Sequence, residues 1–323
     1  MGVLGIDLGA TKIAAAMFSS SGELLRRRTV ELAGREGGAV GALLAEAARE
    51  LVGSPGPEGA PDGAPDGVGV AVPGIYRAAS GTVWAPNIPG WDDYPLVAEL
   101  EAAVPGAAVR VDSDRTCAVL GESWAGNARG CRNAVFLVVG TGIGAGIIAE
   151  GRVLRGTDDA AGAIGWLALD RPYRPGYEAV GCFEYHASGA GIAGVARERV
   201  ADAAAYRGPL RREDPGSLTA RHVFAAYESG DEIARRVVDD AVGYWGMAVA
   251  NLVSLLNPET IVFGGGVFGP AARLLDRVRE EAARWAQPIA MARVRLVATA
   301  LGPDAVLYGA GRLALDDAYT PEV

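Results

Sequence analysis

The first 72 residues show two kinds of apolar periodicity. Residues 3–8, 12–19 and 23–32 are short, β-rich, alternating segments separated by small and polar residues. This alternation predicts a three-stranded antiparallel meander with tight turns. Residues 38–51 place apolar side chains three and four positions apart, which predicts a helix, and residues 68–72 predict a fourth strand.

A second set of strands repeats the first. Residues 133–139, 143–150 and 152–154 are predicted strands, and a glycine-rich turn joins the first two where Asp7-Leu-Gly-Ala-Thr-Lys12 joins the first pair. We interpret this pattern as internal duplication. Between the sets, the Pro/Gly/Asp-rich residues 54–67 predict a surface connection. Strands and helices alternate later in the chain, so the predicted class is α/β, with helix 233–256, strand 260–263, helix 270–286, strand 294–298 and helix 304–316.

Composition narrows the function classes. The chain has 323 residues, half of them hydrophobic, and a net charge of −9 with scattered basic residues, which argues against a nucleic-acid partner. The most apolar window, residues 134–149, is too short to cross a bilayer, and the N-terminus lacks a signal-peptide pattern. We therefore expect a cytoplasmic protein without a membrane partner. Three cysteines favour free thiols over a disulfide framework.

The first glycine turn could bind phosphate. Asp7 follows a buried strand and could hold Mg²⁺ or its waters, while Gly9 and Ala10 let backbone N–H groups approach phosphate oxygens and Thr11 can donate a hydrogen bond. The Asp-x-Gly pattern also occurs in many hairpins, so a purely structural turn remains an alternative.

The second glycine turn, Gly140-Thr-Gly-Ile-Gly-Ala-Gly146, has the spacing of a dinucleotide-binding fingerprint. That interpretation requires a following helix, whereas Ile147 and Ile148 continue a strand. A hairpin around Thr141 that faces a second phosphate fits better. Two such turns in duplicated halves predict a ligand site in the cleft between the halves.

Asp112-Ser-Asp114 lies at a predicted strand-to-helix junction. A carboxylate there is either a helix cap or a general base. Ser113 could be the cap, which would leave Asp114 available for chemistry.

The segment from Tyr173 to Gly189 contains Cys182, Glu184 and His186. A zinc site needs four nitrogen or sulfur ligands, and the chain has only one other histidine, so we predict no zinc site here and a buried thiol at Cys182. Glu184 is a candidate for hydrogen bonding.

Together these residues resemble the ROK family of sugar kinases and regulators, within the actin and hexokinase-like superfamily. The resemblance spans the chain and implies a duplicated ribonuclease H-like, two-domain α/β fold with an interdomain cleft. It implies a small domain of residues 1–112, completed by helix 304–323, and a large domain of residues 113–303. Six motifs carry it in order: Asp7 to Lys12, residues 69–74 with 85–87, residues 113–122, Gly140-Thr-Gly142, residues 264–266 and residues 301–310.

The resemblance assigns roles by position. Asp114 would be the catalytic base that accepts the proton of the attacking hydroxyl, and ATP with Mg²⁺ would be the cofactors, Mg²⁺ being held by Asp7 through water. The nucleotide-binding positions would be Asp7, Gly9, Ala10, Thr11, Lys12, Gly140, Thr141, Gly142, Gly265 and Gly266. The sugar-side positions would be Gly74, Asn87, Ser113, Asp114, Glu184 and Trp166.

This chain departs from the family on the sugar side. Ala163 and Trp166 replace a glutamate and a histidine that bind sugar hydroxyls, and Ser113 replaces an asparagine. Pro175 and Tyr177 replace two zinc cysteines, and Trp166 also removes the zinc histidine, so the resemblance likewise implies no zinc. Trp166 could contact the substrate or fill the lost zinc site.

The intact nucleotide motifs favour an ATP-dependent kinase that phosphorylates a hydroxyl group of a non-glucose sugar or sugar-like alcohol, such as an amino sugar or a cyclitol. We expect this hydroxyl to be a primary one, like the 6-OH of a hexose. A glucokinase-like enzyme and a non-catalytic sugar sensor are the alternatives. ROK repressors carry a DNA-binding segment ahead of the kinase-like fold, and a chain that begins inside its first strand is expected not to be one. Family members are commonly dimers or tetramers, so we expect a homo-oligomer such as a dimer.

Overall fold

The protein contains two five-stranded sheets with helices packed on them. The computed structural model describes residues 2–53 and 64–315, so most of the predicted 54–67 loop lies outside the described residues. The strands are β1 (Gly2–Leu8), β2 (Lys12–Ser19), β3 (Leu24–Glu31), β4 (Gly67–Val72), β5 (Ile75–Arg77), β6 (Thr82–Trp84), β7 (Ala108–Ser113), β8 (Ala134–Val139), β9 (Ile143–Ala149), β10 (Arg152–Val153), β11 (Thr260–Gly264) and β12 (Arg295–Ala298).

The two sheets share one topology. The first has the order β3-β2-β1-β4-β7 and the second the order β10-β9-β8-β11-β12, so in each the third, second and first strands are followed by the fourth and fifth. The first three strands of the first sheet pair antiparallel, which confirms the predicted meander. β4 and β7 add parallel to β1, as β11 and β12 add parallel to β8. The predicted duplication is therefore present in the sheet order.

Helices cover the sheets and connect the parallel strands. They are α1 (Gly38–Gly53), α2 (Leu96–Ala103), α3 (Asp114–Ala125), α4 (Tyr177–Val180), α5 (Cys182–Ala187), α6 (Gly189–Asp202), α7 (Ala220–Glu228), α8 (Glu232–Leu256), α9 (Leu275–Ala283), α10 (Pro288–Arg293) and α11 (Ala305–Ala314). Over the described residues, none of these helices combines the length and apolar character needed to span a membrane.

β1 is buried on both faces because it lies in the middle of its sheet. Leu4 and Ile6 belong to the core that includes Leu44 of α1. Val3, one residue out of phase, belongs to a second core that includes Leu307 of α11. Side chains alternate across a strand, so this apolar run packs against helices on both sides of the sheet.

The described residues divide into two compact units. The first comprises residues 2–53, 64–131, 146–161 and 299–315, and the second comprises residues 132–145 and 162–298. The sequence had placed a boundary after residue 112, whereas α3 belongs to the first unit with β7. The C-terminal helix α11 belongs to the first unit.

Candidate active site

The Asp7 turn is a short hairpin in the first unit. Asp7 is held between Ala14 of β2 and Ala71 of β4, and the Gly9 N–H donates to the Lys12 carbonyl at 2.9 Å to close the turn. In the part of the chain that the structure describes, the N–H groups of Ala10 and Thr11 and the Thr11 hydroxyl have no hydrogen-bond partner. Three donors are thus left for an anionic group, as the sequence predicted for a phosphate.

The carboxylate of Asp7 is electrostatically unsatisfied. Its pKa is raised to about 7, mainly because burial disfavours the charged form and also because Asp114 carries a nearby negative charge. Lys12 and Arg27 oppose this increase. No hydrogen bond to the Asp7 side chain forms among the described residues. A half-buried carboxylate that accepts no hydrogen bond fits the predicted role of holding a hydrated Mg²⁺ ion.

Asp114 begins helix α3 at the end of β7. The Ser113 hydroxyl accepts from the Thr116 N–H at 3.3 Å and so caps the helix, as the sequence suggested. Asp114 Oδ1 accepts from the Arg115 N–H at 2.7 Å, whereas Oδ2 has no hydrogen-bond partner in the described chain. Burial raises the pKa of Asp114. One oxygen of this carboxylate is therefore fixed and the other is available to accept a proton.

An ion pair that the sequence did not reveal supports this junction. Arg155 donates to Asp112 Oδ2 from Nε at 3.0 Å and from Nη2 at 2.6 Å, and Asp112 Oδ1 accepts from the Ser113 N–H at 2.7 Å. Asp112 is buried, so its charge requires this partner. The 43 residues that separate the pair explain why no local pattern predicted it.

Glu122 anchors the C-terminal part of α3. Its side chain is fully buried, and Oε1 accepts from the Ala300 and Leu301 N–H groups at 3.0 and 3.2 Å and from the Thr299 hydroxyl. Oε2 accepts from the Asn127 N–H at 2.6 Å. Hydrogen bonds to a charged acceptor are the stronger ones, so Glu122 joins α3 firmly to the segment that precedes α11.

Two predicted sugar-side positions lie in the loops after β4 and β6. A Cβ on Gly74 would lie 1.9 Å from the Trp84 carbonyl oxygen, so the close approach of the two segments requires glycine. Asn87 is exposed in a turn that the Ile88 N–H closes by donating to Ala85 at 3.0 Å. Their contacts with a sugar remain predictions.

The second glycine turn lies against helix α6 in the second unit. Gly189 and Ala190, in the first turn of α6, donate to the carbonyls of Gly140 and Thr141 at 2.8 and 3.3 Å. These bonds use donors that would otherwise be free at the helix N-terminus. The Thr141 N–H, the Thr141 hydroxyl and the Gly142 N–H have no hydrogen-bond partner within the described residues. This turn therefore repeats the arrangement at Thr11.

A cavity of about 700 Å³ adjoins this turn. Gly266 lines the cavity, and Gly265 is the residue before it in the chain. Gly265 has a φ of +87° and lies so close to β8 that a Cβ would be 2.5 Å from the Val139 carbonyl oxygen. Arg197 is fixed at the wall by donating to the Leu218 carbonyl at 3.2 Å. The volume is that of a small-molecule site. Its lining residues are Gly140, Thr141, Gly189, Ala190, Ala193, Arg197, Leu218, Thr219, Ala220, Arg221, Phe224, Gly266, Val267 and Pro270.

Glu184 is held by the second glycine turn. Its Oε2 accepts from the Ile143 N–H at 2.6 Å, and the carboxylate lies against Gly142 and Gly165, where a Cβ would come within 2.7 and 3.0 Å of Oε2. In the described chain Oε1 has no hydrogen-bond partner. Burial raises the pKa of Glu184. The side chain is therefore oriented, with one oxygen left for a ligand.

Hydrogen bonds and stacked rings occupy the region around Cys182. The Tyr177 hydroxyl lies 2.6 Å from His186 Nε2 and donates to Asp170 Oδ2 at 3.2 Å, and the His186 ring stacks on Tyr244 with centroids 4.4 Å apart. Burial lowers the pKa of His186 and so favours the neutral ring. Within residues 2–53 and 64–315, no group of three or more His, Cys, Asp or Glu residues could hold a metal ion.

Trp166 adjoins this region and is not a core residue. It ends a 3₁₀ turn, Ile164–Trp166, and its side chain is 56% exposed. This exposure leaves the indole accessible to a ligand, and the two roles considered for Trp166 both stay predictions.

Comparison with known proteins identifies the family. A ROK family model matches residues 3–317. The chain belongs to the ROK family. It is 34% identical to a glucokinase of Halalkalibacterium halodurans over 96% of this chain and 94% of that one. It is 30% identical to an N-acetyl-D-glucosamine kinase of Escherichia coli over 81% and 83% of the two chains.

A solved ROK structure confirms the predicted fold class. The ROK family glucokinase of Streptomyces griseus, in complex with glucose and AMPPNP, superposes with a TM-score of 0.73 and 27% identity, covering 97% of this chain and 99% of that one. The predicted family and the duplicated α/β fold are thus both confirmed.

The predicted site residues form two groups, one in each unit. In the first, Asp7, Lys12 and Asp114 interact electrostatically. In the second, Gly140, Thr141 and Gly266 share a cavity, and Glu184 lies at the edge of the same turn. Sequence reasoning missed Arg155, Arg197, Phe224 and the Tyr177–His186 pair. Only the aromatic-rich composition around Tyr177 gave any signal for these.

Proposed function

We propose that this ROK protein is an ATP-dependent kinase that phosphorylates a hydroxyl group of a non-glucose sugar or sugar-like alcohol, such as an amino sugar or a cyclitol. The proposed acceptor is a primary hydroxyl, like the 6-OH of a hexose. Relatives that match 96% and 81% of the chain and are named as sugar kinases support the kinase class. A homodimeric assembly and a cytoplasmic location remain predictions from the family resemblance.

The arrangement around Asp114 carries the proposal. A general base needs a free acceptor atom on a rigid support. Asp114 has such an atom in Oδ2, and the Ser113 cap and the Asp112–Arg155 ion pair fix the residues before it. Asp114 would accept the proton of the attacking hydroxyl. Its raised pKa makes this transfer more favourable than for an ordinary aspartate.

The unpaired donors of the two glycine turns support nucleotide binding. In phosphoryl transfer, positioning and charge stabilisation account for most of the catalysis. The N–H groups at Thr11 and Thr141 would bind phosphate oxygens, and the 700 Å³ cavity would hold the nucleoside. Mg²⁺ bound near Asp7 would neutralise phosphate charge and favour the ionised carboxylate.

The replaced side chains support a substrate other than glucose. Ala163 has no side-chain hydrogen-bonding group, and Trp166 has one indole N–H donor and no acceptor where the family carries a histidine, while Glu184 keeps one free oxygen. Leaving a polar partner unpaired costs about 1–3 kcal/mol. Glucose would lose the contact at Ala163 and any acceptor contact at Trp166, so its kcat/KM should fall well below that of the preferred acceptor.

Steady-state assays of ADP release test the proposal. Glucose, glucosamine, N-acetylglucosamine, N-acetylmannosamine and inositols should be compared with the wild type, Asp114→Asn and the exposed control Asp92→Asn. We expect Asp114→Asn to lower kcat by about 10²–10⁴-fold with sugar binding retained, and the control to match the wild type.

Two results would contradict parts of the proposal. Efficient turnover of glucose would refute the non-glucose substrate but leave the kinase. No turnover of any acceptor, with equal sugar binding by the wild type and Asp114→Asn, would instead indicate a non-catalytic sugar sensor.

A further inference from the structure

A second cavity, of about 400 Å³, lies beside Trp166 in the second unit. Its walls are mostly aromatic or apolar, and Trp166 and Tyr173 are 56% and 70% exposed. Large exposed aromatic side chains that line a concavity are typical of ligand sites. The proposed roles of the nucleotide turns and Asp114 leave this cavity unused. Its other lining residues are Ala168, Asp170, Arg171, Pro172, Tyr177, Gly181 and Cys182.

The carboxylate that lines the cavity is already paired. Asp170 Oδ2 accepts from the Tyr177 hydroxyl and forms an ion pair with Arg174, both at 3.2 Å, and Oδ1 accepts from the Arg171 N–H at 2.8 Å. These partners lower the pKa of Asp170 and keep it ionised within the network. The cavity therefore offers aromatic faces and no free carboxylate, and its other charged lining residue, Arg171, is itself a cation, so an uncharged ring is favoured over a cationic one.

Backbone next to the cavity also packs against Glu184. Gly165, the residue before Trp166, lies so close to Glu184 that a Cβ would be 3.0 Å from its Oε2. Gly181, the residue before Cys182, lies so close to Trp166 that a Cβ would be 2.7 Å from the Trp166 Cα. The Gly165–Trp166 segment thus connects Glu184 to the cavity wall, which places the cavity within reach of a substituent on a sugar bound by Glu184.

We propose that the cavity holds a ring-sized, uncharged substituent of the acceptor, stacked on Trp166 and Tyr173. This inference rests on the proposed kinase function and names the substrate class more closely: a sugar with an aryl, acyl-aryl or second pyranose group. A volume of about 400 Å³ is in the range of whole small-molecule sites, so an acetyl group would leave most of it empty.

Matched acceptors test the inference. The ratio of kcat/KM for N-benzoylglucosamine to that for glucosamine, and for phenyl β-glucoside to that for glucose, should be measured in the wild type, Trp166→Ala and Trp285→Ala. Trp285 is an equally exposed tryptophan, at 64%, that does not line the cavity. We expect Trp166→Ala to lower at least one ratio about tenfold and Trp285→Ala to leave both unchanged.

The outcomes separate the two proposals. Turnover of the parent sugars with rejection of both ring-bearing acceptors, or an equal loss for parent and derivative in Trp166→Ala, would overturn the cavity inference alone. If no acceptor is phosphorylated, the kinase proposal fails, and calorimetric binding of N-benzoylglucosamine then decides about the cavity. Tighter binding than glucosamine that is lost in Trp166→Ala would support the inference, and equal binding would overturn it.

Discussion

Replacing Asp7 with asparagine should make the ligand-free protein more stable while reducing its activity. The pKa of Asp7 is about 7 in the folded protein, against an ordinary value of 3.8. Between these values the folded state binds the proton that the unfolded chain has already released. Stability associated with Asp7 is therefore fully present below about pH 4 and is lost as pH rises through 7.

The size of the effect follows from the shift. A change from 3.8 to about 7 is roughly three pKa units, or about 4 kcal/mol above pH 7. At pH 5.5, which is about 1.7 pH units above the ordinary pKa of 3.8, the corresponding free-energy difference is about 2 kcal/mol. Asparagine has a similar shape without the charge, so the advantage of Asp7→Asn should grow by about 2 kcal/mol between pH 5.5 and pH 8.5.

Thermal unfolding without nucleotide or Mg²⁺ measures this difference. Asp7→Asn should unfold several degrees above the wild type at pH 8.5 and by a smaller margin at pH 5.5. The exposed Asp92→Asn should follow the wild type at both pH values. A margin that does not change with pH, or an Asp7→Asn protein that is less stable at pH 8.5, would refute the electrostatic reasoning.

Two further outcomes are expected. Gly309→Ala should lower the unfolding temperature and kcat, because a Cβ on residue 309 would lie 1.6 Å from the Cys117 carbonyl oxygen. Helix α11 would have to move at least about 1.4 Å away from α3 for this contact to reach 3.0 Å. The matched Gly243→Ala, in open space on α8, should instead stabilise by up to about 1 kcal/mol, and equal effects would contradict the packing argument. Purified protein should contain no stoichiometric zinc by elemental analysis, and chelation followed by excess Mg²⁺ should restore full activity; a lasting loss that only zinc reverses would show a missed site.

Local patterns predicted most of the fold correctly. Strand alternation located β1, β2 and β3 within two residues at each end. The single helix predicted over residues 270–286 is instead a 3₁₀ segment, Pro270–Leu274, followed by α9. The three-residue strands β5 and β6 and the short helix α2 are too brief for periodicity to define.

The sequence predicted the serine cap next to Asp114, but it did not predict the pKa values or the solvent exposure of the candidate site residues. The sequence placed Asp114 after a capping serine, and the structure has that cap. The raised pKa of Asp7 depends on burial and on a carboxylate over a hundred residues away, which no local window contains. The exposure of Trp166 was also undetermined, because a tryptophan in an apolar octapeptide usually indicates core.

The sequence by itself determined the order of the elements, the duplication and the two glycine turns, because each depends on side-chain periodicity and backbone freedom over a few residues. Only the tertiary structure decided which distant groups meet: Arg155 with Asp112, Glu122 with the segment before α11, and Tyr177 with His186. Such pairs form where separate elements pack together. Their geometry is a property of the packed chain, and so are the pKa values and the cavity beside Trp166.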